Sequence, residues 1–222
     1  MKLLTTANYK TIKGEKLGVL TGILYLAPAK ISGYEVCPRR SKGCTAACLY
    51  TAGMGAFSTV QHARINKTKL FFEDRENFLT QLKKDIKALV KKANKLNFKP
   101  AVRLNGTSDI EWIRFGIMEE FPEVQFYDYT KVLSRLKDKI PANYNITFSK
   151  SETNEMDCRW ALNLGFNVAV VFKQLPKTYL ARPVVNGDET DVRFEDARGV
   201  IVGLTAKGKA KKDNSGFVVG SN

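Results

Sequence analysis

The chain of 222 residues has one histidine, His62, and no apolar run long enough to span a bilayer. Its first residues, Met1-Lys2-Leu3-Leu4-Thr5, run straight into polar Asn8-Tyr9-Lys10, with no signal-peptide core. Internal repeats and low-complexity linkers are also missing, so nothing divides the chain, and one domain over 1–222 is expected. A single histidine excludes His-rich metal sites and leaves little for His-based catalysis. No membrane association is expected, and the expected location is the cytoplasm. In that reducing compartment four cysteines do not form a disulfide framework, and clustered ones point to metal binding or catalysis.

Acidic residues are scarce relative to basic ones, 22 against 36, which gives a formal charge of +14. That surplus suits a nucleic-acid or phosphate-bearing partner, or else a solvated lysine face. Two stretches concentrate it: Lys83, Lys84, Lys87, Lys91, Lys92 and Lys95 along one expected helix, and a basic C-terminal tail over about 207–222.

Apolar periodicity predicts strands at Gly18–Ala27, Ala101–Asn105, Val124–Thr130, Asn145–Ser149, Asn167–Phe172 and Gly199–Thr205, with a weaker one around Tyr179–Val185. Helices are predicted at Ser58–Lys69, Arg75–Lys95, Ile110–Phe121, Asn154–Leu164 and briefly near Val132–Lys137. Alternating strands and helices imply a parallel sheet of α/β class. Within the strands one parity is apolar and the other polar. Val102 and Leu104 alternate with Arg103 and Asn105, and Phe126 and Asp128 with Tyr127, Tyr129 and Lys131. Ile146 and Phe148 alternate with Thr147, Ser149 and Ser151, and Val200, Val202 and Leu204 with Gly203, Thr205 and Lys207. A full or partial (β/α) barrel accounts for this, with apolar sides facing helices and a polar, ligand-sized interior. An antiparallel α+β sheet with one wet face is the competing architecture.

The densest chemical signal is Cys37-Pro38-Arg39-Arg40-Ser41-Lys42-Gly43-Cys44-Thr45-Ala46-Ala47-Cys48, a cysteine-rich loop after the first predicted strand. Cys44 and Cys48 share one face of a helical turn, and Cys37 arrives from a loop. Three thiolates in this pattern suit an iron–sulfur cluster, most simply [4Fe-4S], with one open corner for a small molecule. Arg39, Arg40 and Lys42 would lower the thiol pKa values. Zinc, which favours paired spacings and a fourth ligand, and three inert buried cysteines are the alternatives. Cys158 is a candidate fourth ligand, although the expected stripe of its helix is Met156, Trp160 and Leu164. Around the cluster, Arg103, Asn105, Ser149, Ser151 and Lys207 are expected to bind a cofactor. Tyr127, Tyr129, Lys131, Glu152 and Asp109 are the candidate proton-transfer groups, with the Asp188-Glu189-Thr190-Asp191 turn at the rim.

Together the cysteine segment, Arg103-Leu104-Asn105-Gly106-Thr107-Ser108-Asp109, Phe126-Tyr127-Asp128-Tyr129-Thr130-Lys131 and Gly203-Leu204-Thr205-Ala206-Lys207-Gly208-Lys209-Ala210 resemble the "gene product 88" family of bacteriophage and prophage proteins. The resemblance implies a phage-encoded protein acting in the host cytoplasm and supplies no reaction. More distantly, the cysteine loop after a strand is similar to radical S-adenosylmethionine enzymes, which implies a radical-SAM-like barrel and S-adenosylmethionine as a cofactor at the open iron. That superfamily spaces its cysteines by three and two residues, whereas six and three separate them here, and its Gly-Gly-Glu element is replaced by Asn105-Gly106-Thr107. Two functional expectations follow. One is an iron–sulfur enzyme of radical type; the other is a nucleic-acid or host-factor binder whose cluster or zinc is structural.

Overall fold

The computed structural model describes residues 1–6 and 9–220. In chain order the elements are β1 (Leu4–Thr5), α1 (Tyr9–Glu15), β2 (Val19–Leu24), α2 (Lys42–Ala46), α3 (Ser58–Glu73), α4 (Arg75–Lys95), β3 (Lys99–Arg103), α5 (Ile117–Glu120), β4 (Gln125–Thr130) and β5 (Tyr144–Ser149). They continue with α6 (Glu155–Asn163), β6 (Asn167–Phe172), β7 (Thr178–Tyr179), β8 (Arg182–Asn186), β9 (Ile201–Thr205) and β10 (Val218–Val219).

All ten strands join one sheet in the order β1-β2-β3-β4-β5-β6-β9-β8-β7, with β10 beside β6. The run from β2 to β8 is parallel, and only the edge strands β1 and β7 pair antiparallel. The class is α/β with a mixed sheet. Among the described residues no pairing joins the two ends of the path, so a closed barrel is not formed. The cysteine segment also follows the second strand, because the short β1 precedes β2.

Helix α4 shows how the outer face is built. Asp74 caps it by accepting from the Asn77 N–H at 3.2 Å, and Phe78, Leu82, Ile86, Leu89 and Ala93 form its buried stripe. They meet Leu20, Leu24, Val102 and Phe126 of the sheet in one core with Trp112 and Phe148. Each large side chain fully buried there contributes about 1.5–3 kcal/mol. The expected helix over Ile110–Phe121 is instead a 3₁₀ turn at Trp112–Phe115 and the short α5, separated by Gly116 at φ 63°. A left-handed residue there ends one turn before the next can begin.

The inner face is where expectation and structure part. Tyr127 pairs across the sheet with Asn145, Thr147 with Asn167, and Ala169 with Val202, so one parity does face inward. It does not enclose an open polar chamber. Residues 187–196 fold back over it, and Val192 and Phe194 pack on Val19, Ala101 and Tyr127. Strand β9 also reverses its expected parity. Ile201 pairs with Val168 and joins the helix-side core, whereas Val202 faces inward with Ala169.

The C-terminal stretch is no free basic tail. Residues Gly208–Lys212 form a 3₁₀ turn, and β10 pairs parallel with β6, Val218 opposite Val171. β5 pairs with the first half of β6, up to Ala169, and β10 takes over the same edge beyond it. The end of the expected tail, residues 221–222, lies outside the described residues. Among the described residues no helix is long and apolar enough to cross a membrane.

Candidate metal centre

Cys37, Cys44 and Cys48 gather beyond the carboxyl end of β2, the end at which parallel sheets place ligands. The loop from Ala27 to Cys37 is fixed at its start by Thr68, whose hydroxyl accepts the Ala27 N–H at 2.8 Å. Cys37 Sγ accepts from the Ala29 N–H at 3.5 Å and approaches the Thr107 carbonyl at 3.8 Å. The Asp109 N–H binds the Val36 carbonyl at 2.7 Å and ties this loop to the one after β3.

Cys44 lies on α2, which is held from outside. Ser41 caps it, its hydroxyl accepting from the Cys44 N–H at 3.1 Å. Glu152, just past β5, accepts from the Ser41 hydroxyl at 2.6 Å and the Gly43 N–H at 2.7 Å. Burial would raise the Glu152 carboxyl, but these hydrogen bonds outweigh it and hold the group below its ordinary value. Opposite, Gly43 presses on the C-terminal segment: an added Cβ would stand 2.2 Å from Ser215 Oγ and 2.8 Å from Phe217 Cβ. Ala47, Ala210 and Val218 form a small core beneath.

The three thiols face one another electrostatically. Burial pushes Cys37 up to about 12, and charge on Asp109, Cys48 or Cys44 would push it further. Cys48 is raised by burial and by Cys44, against the opposing pull of its hydrogen bond to Tyr50 and of Arg64 and Lys131. These two cations were not the ones expected. Arg40 is turned away, paired with Glu35 at 3.1 Å and bonded to Thr45.

Arg64, on α3, is the residue the sequence did not flag. It is 8% exposed, with its guanidinium 4.7 Å from the Tyr25 ring centroid and 5.6 Å from that of Tyr50. Its Nε and Nη1 are buried without a hydrogen-bond partner. Burial lowers its pKa, opposed by Tyr25, Tyr50 and Cys48, and among the described residues no carboxylate pairs with it. Lys131 reaches toward the same region, its ammonium 5.9 Å from the Phe217 ring centroid.

The remaining candidates divide by location. Asp109 is committed to Arg135, to the Thr130 hydroxyl at 2.8 Å and to the Lys131 N–H at 2.9 Å. Asn105 Oδ1 accepts from Ser108, the Ile110 N–H and Trp112 Nε1, and its amide donates to the Ile110 carbonyl. Gly106 lies flush against Tyr25, so the segment Asn105-Gly106-Thr107 organises its own loop. Arg103, Tyr127 and Tyr129 belong to the inner-face plug. Asp191 takes Arg103 at 3.3 Å and the Tyr127 hydroxyl at 2.9 Å, and Arg103 lies 4.5 Å from the Tyr129 ring centroid. Burial raises both tyrosines, and Asp191 adds to it. In Arg103 the opposite holds, since Asp191 overcomes the lowering by burial.

Ser149 stands on the inner face, and buried Ser151 gives its N–H to Asn154 at 2.6 Å. Lys207 is exposed and pairs at 2.6 Å with Asp188, at the start of the plug. Cys158 packs in the helix-side core, its sulfur 3.6 Å from Asn154 Oδ1, and burial pushes its thiol up to about 12. Of the expected stripe, Met156 is 77% exposed and Leu164 is exposed as well, and only Trp160 packs, half-buried, against the core. Cys158 is therefore a core thiol, fully buried on the helix side of the sheet. His62 is exposed.

The fold and site define an α/β protein with one mixed sheet, bearing a cluster of three thiols and two cations at the carboxyl end of its parallel strands. The chain matches the "Gene product 88" family model over residues 2–220, and it belongs to that family. No curated protein and no solved structure was found to match it.

Proposed function

We infer that Cys37, Cys44 and Cys48 hold a thiolate-ligated iron–sulfur cluster in a phage-encoded protein, with Arg64 and Lys131 as its counter-charges. The observation that carries this reading is the buried, uncompensated Arg64 facing Cys48. An isolated buried cation is costly unless an anion accompanies it. Three protonated thiols supply no negative charge, whereas three thiolates on a metal centre do. With inert cysteines the charge of Arg64 is met, among the described residues, by the Tyr25 and Tyr50 rings alone.

Among the described residues no group of three or more His, Cys, Asp or Glu side chains is placed to hold a metal ion, so the cluster reading rests on the cysteine spacing and on Arg64; in it each thiolate would bind a different iron. When bound, such a cluster supplies one-electron chemistry, and an iron without a protein ligand is open to a small molecule. The chain's own part is to hold three thiols with the Thr68, Ser41 and Glu152 bonds and to balance their charge. Radical S-adenosylmethionine chemistry has less support, because Asn105 is committed within its own loop.

Anaerobic purification followed by iron, sulfide and zinc analysis with an absorption spectrum tests the reading. Stoichiometric iron and sulfide, lost together in Cys37→Ala, is the expected result. A colourless, zinc-loaded protein overturns it. Cleavage of S-adenosylmethionine by the reduced protein would restore the radical version.

A further inference from the structure

Helix α4 buries one face completely and presents on the other a row with no such partner. Lys83, Lys87, Lys91 and Lys95 recur every fourth residue, and Lys84 and Lys92 lie alongside. At 1.5 Å per residue the row places a charge about every 6 Å over about 18 Å. Among the described residues Lys83 alone of these six is ion-paired, to Glu120 of α5 at 2.6 Å. A groove of about 540 Å³ runs beside the row, lined by Lys87, Val90, Lys91, Asn94, Lys95 and a single carboxylate, Glu123. Like charges four apart on a helix repel one another, and beyond the Lys83–Glu120 pair the groove offers the row only Glu123.

We propose that this face of α4 is a binding surface for the phosphate backbone of a nucleic acid. The chemistry favours that partner over the other polyanions. Every cation in the row is a lysine, a point charge suited to phosphate, and none is an arginine able to fork onto a carboxylate. The row has no exposed aromatic side chain of the kind that anchors a protein partner. Its helix cannot insert into a lipid surface, because the apolar stripe Phe78-Leu82-Ile86-Leu89-Ala93 is already in the core. Lysines dominate the face, with Asn94 as its one amide, so the contacts are chiefly to the phosphate backbone, which carries no sequence information.

Fluorescence anisotropy with a labelled duplex and a labelled single strand, at 50–200 mM salt, tests this. A chain of charge +14 binds DNA weakly through its charge alone, so location is the deciding readout. The triple variant Lys87→Gln/Lys91→Gln/Lys95→Gln is compared with Lys209→Gln/Lys211→Gln/Lys212→Gln, which loses the same charge elsewhere. The α4 variant is expected to flatten the slope of log K against log salt by about 3, and the second variant by less than 1. Three results would overturn the proposal: no binding by the unaltered chain at 50 mM salt, equal losses in the two variants, or equally tight binding to polyglutamate or to anionic vesicles.

Discussion

Replacing Arg64 with methionine should have opposite effects on the metal-free and metal-loaded protein. Methionine fills similar space without charge, so the metal-free form loses two buried, unpartnered donors. Each such group costs about 1–3 kcal/mol. The contacts of Arg64 with the Tyr25 and Tyr50 rings are lost as well, at about 0.5–2 kcal/mol each. These terms nearly cancel, and the metal-free melting temperature should stay level or rise by a few degrees. In the loaded form the guanidinium attracts a thiolate centre. For charges on the order of 4–8 Å apart and an effective dielectric constant near 20, such an attraction is about 2–4 kcal/mol, or about 30- to 1,000-fold in metal affinity. Calorimetric melting of both forms, with chelator competition for affinity, measures the two effects separately. Arg64→Lys, which keeps the charge, should recover most of the affinity. If the methionine variant instead destabilises both forms equally, Arg64 is a packing residue and the counter-charge argument fails.

Three further outcomes follow from groups described above. Asp128 is buried, and burial pushes its carboxyl up to about 7 despite hydrogen bonds from the Asn105 N–H and Tyr144. The unfolded chain loses this proton near pH 4, so stability falls from pH 4 to about 7 by about 4 kcal/mol and is then level. Denaturant melts of the protein and of Asp128→Asn should converge at pH 4 and separate in favour of the variant by pH 8. Gly43→Ala forces a methyl into Ser215 and Phe217, and should both free the C-terminal segment to limited proteolysis and lower bound iron. Asp191→Ala strands Arg103 in the plug and should cost about 3–5 kcal/mol in urea melts, with iron content per folded molecule unchanged.

How much of this was legible from the sequence depends on what each buried face is made of. Helix α4 matches its expected limits Arg75–Lys95, because Phe78, Leu82, Ile86 and Leu89 write its period in apolar residues. Helix α3 buries Arg64, Lys67, Thr68 and Phe71, so its inward stripe is almost wholly polar. A helix between a cysteine segment and a core helix, with no apolar face, was the signal for a buried polar site. Strand β9 misled for the reverse reason: Ile201 and Val202 are apolar on both faces, because Ile201 joins the helix-side core and Val202 lies under Gly187 of the plug. The plug was invisible because Asp191 looks like a solvated turn until Arg103, 88 positions earlier, arrives beside it. The lysines of 207–212 hid Ala210 and Val218, the two small residues that dock that segment.

The seating of Gly43 against Ser215 and Phe217 also fixes an order of events during synthesis. Cys37, Cys44 and Cys48 leave the ribosome early, whereas β10 follows roughly 170 residues after Cys48, about 10–35 s later at ordinary elongation rates. Until then α2 lacks the wall formed by the C-terminal segment, and the three thiols are open to oxidants and to adventitious metals. On the proposed cluster reading, the conditions around the nascent chain bear on how the thiols are loaded, and the arrival of β10 closes the site.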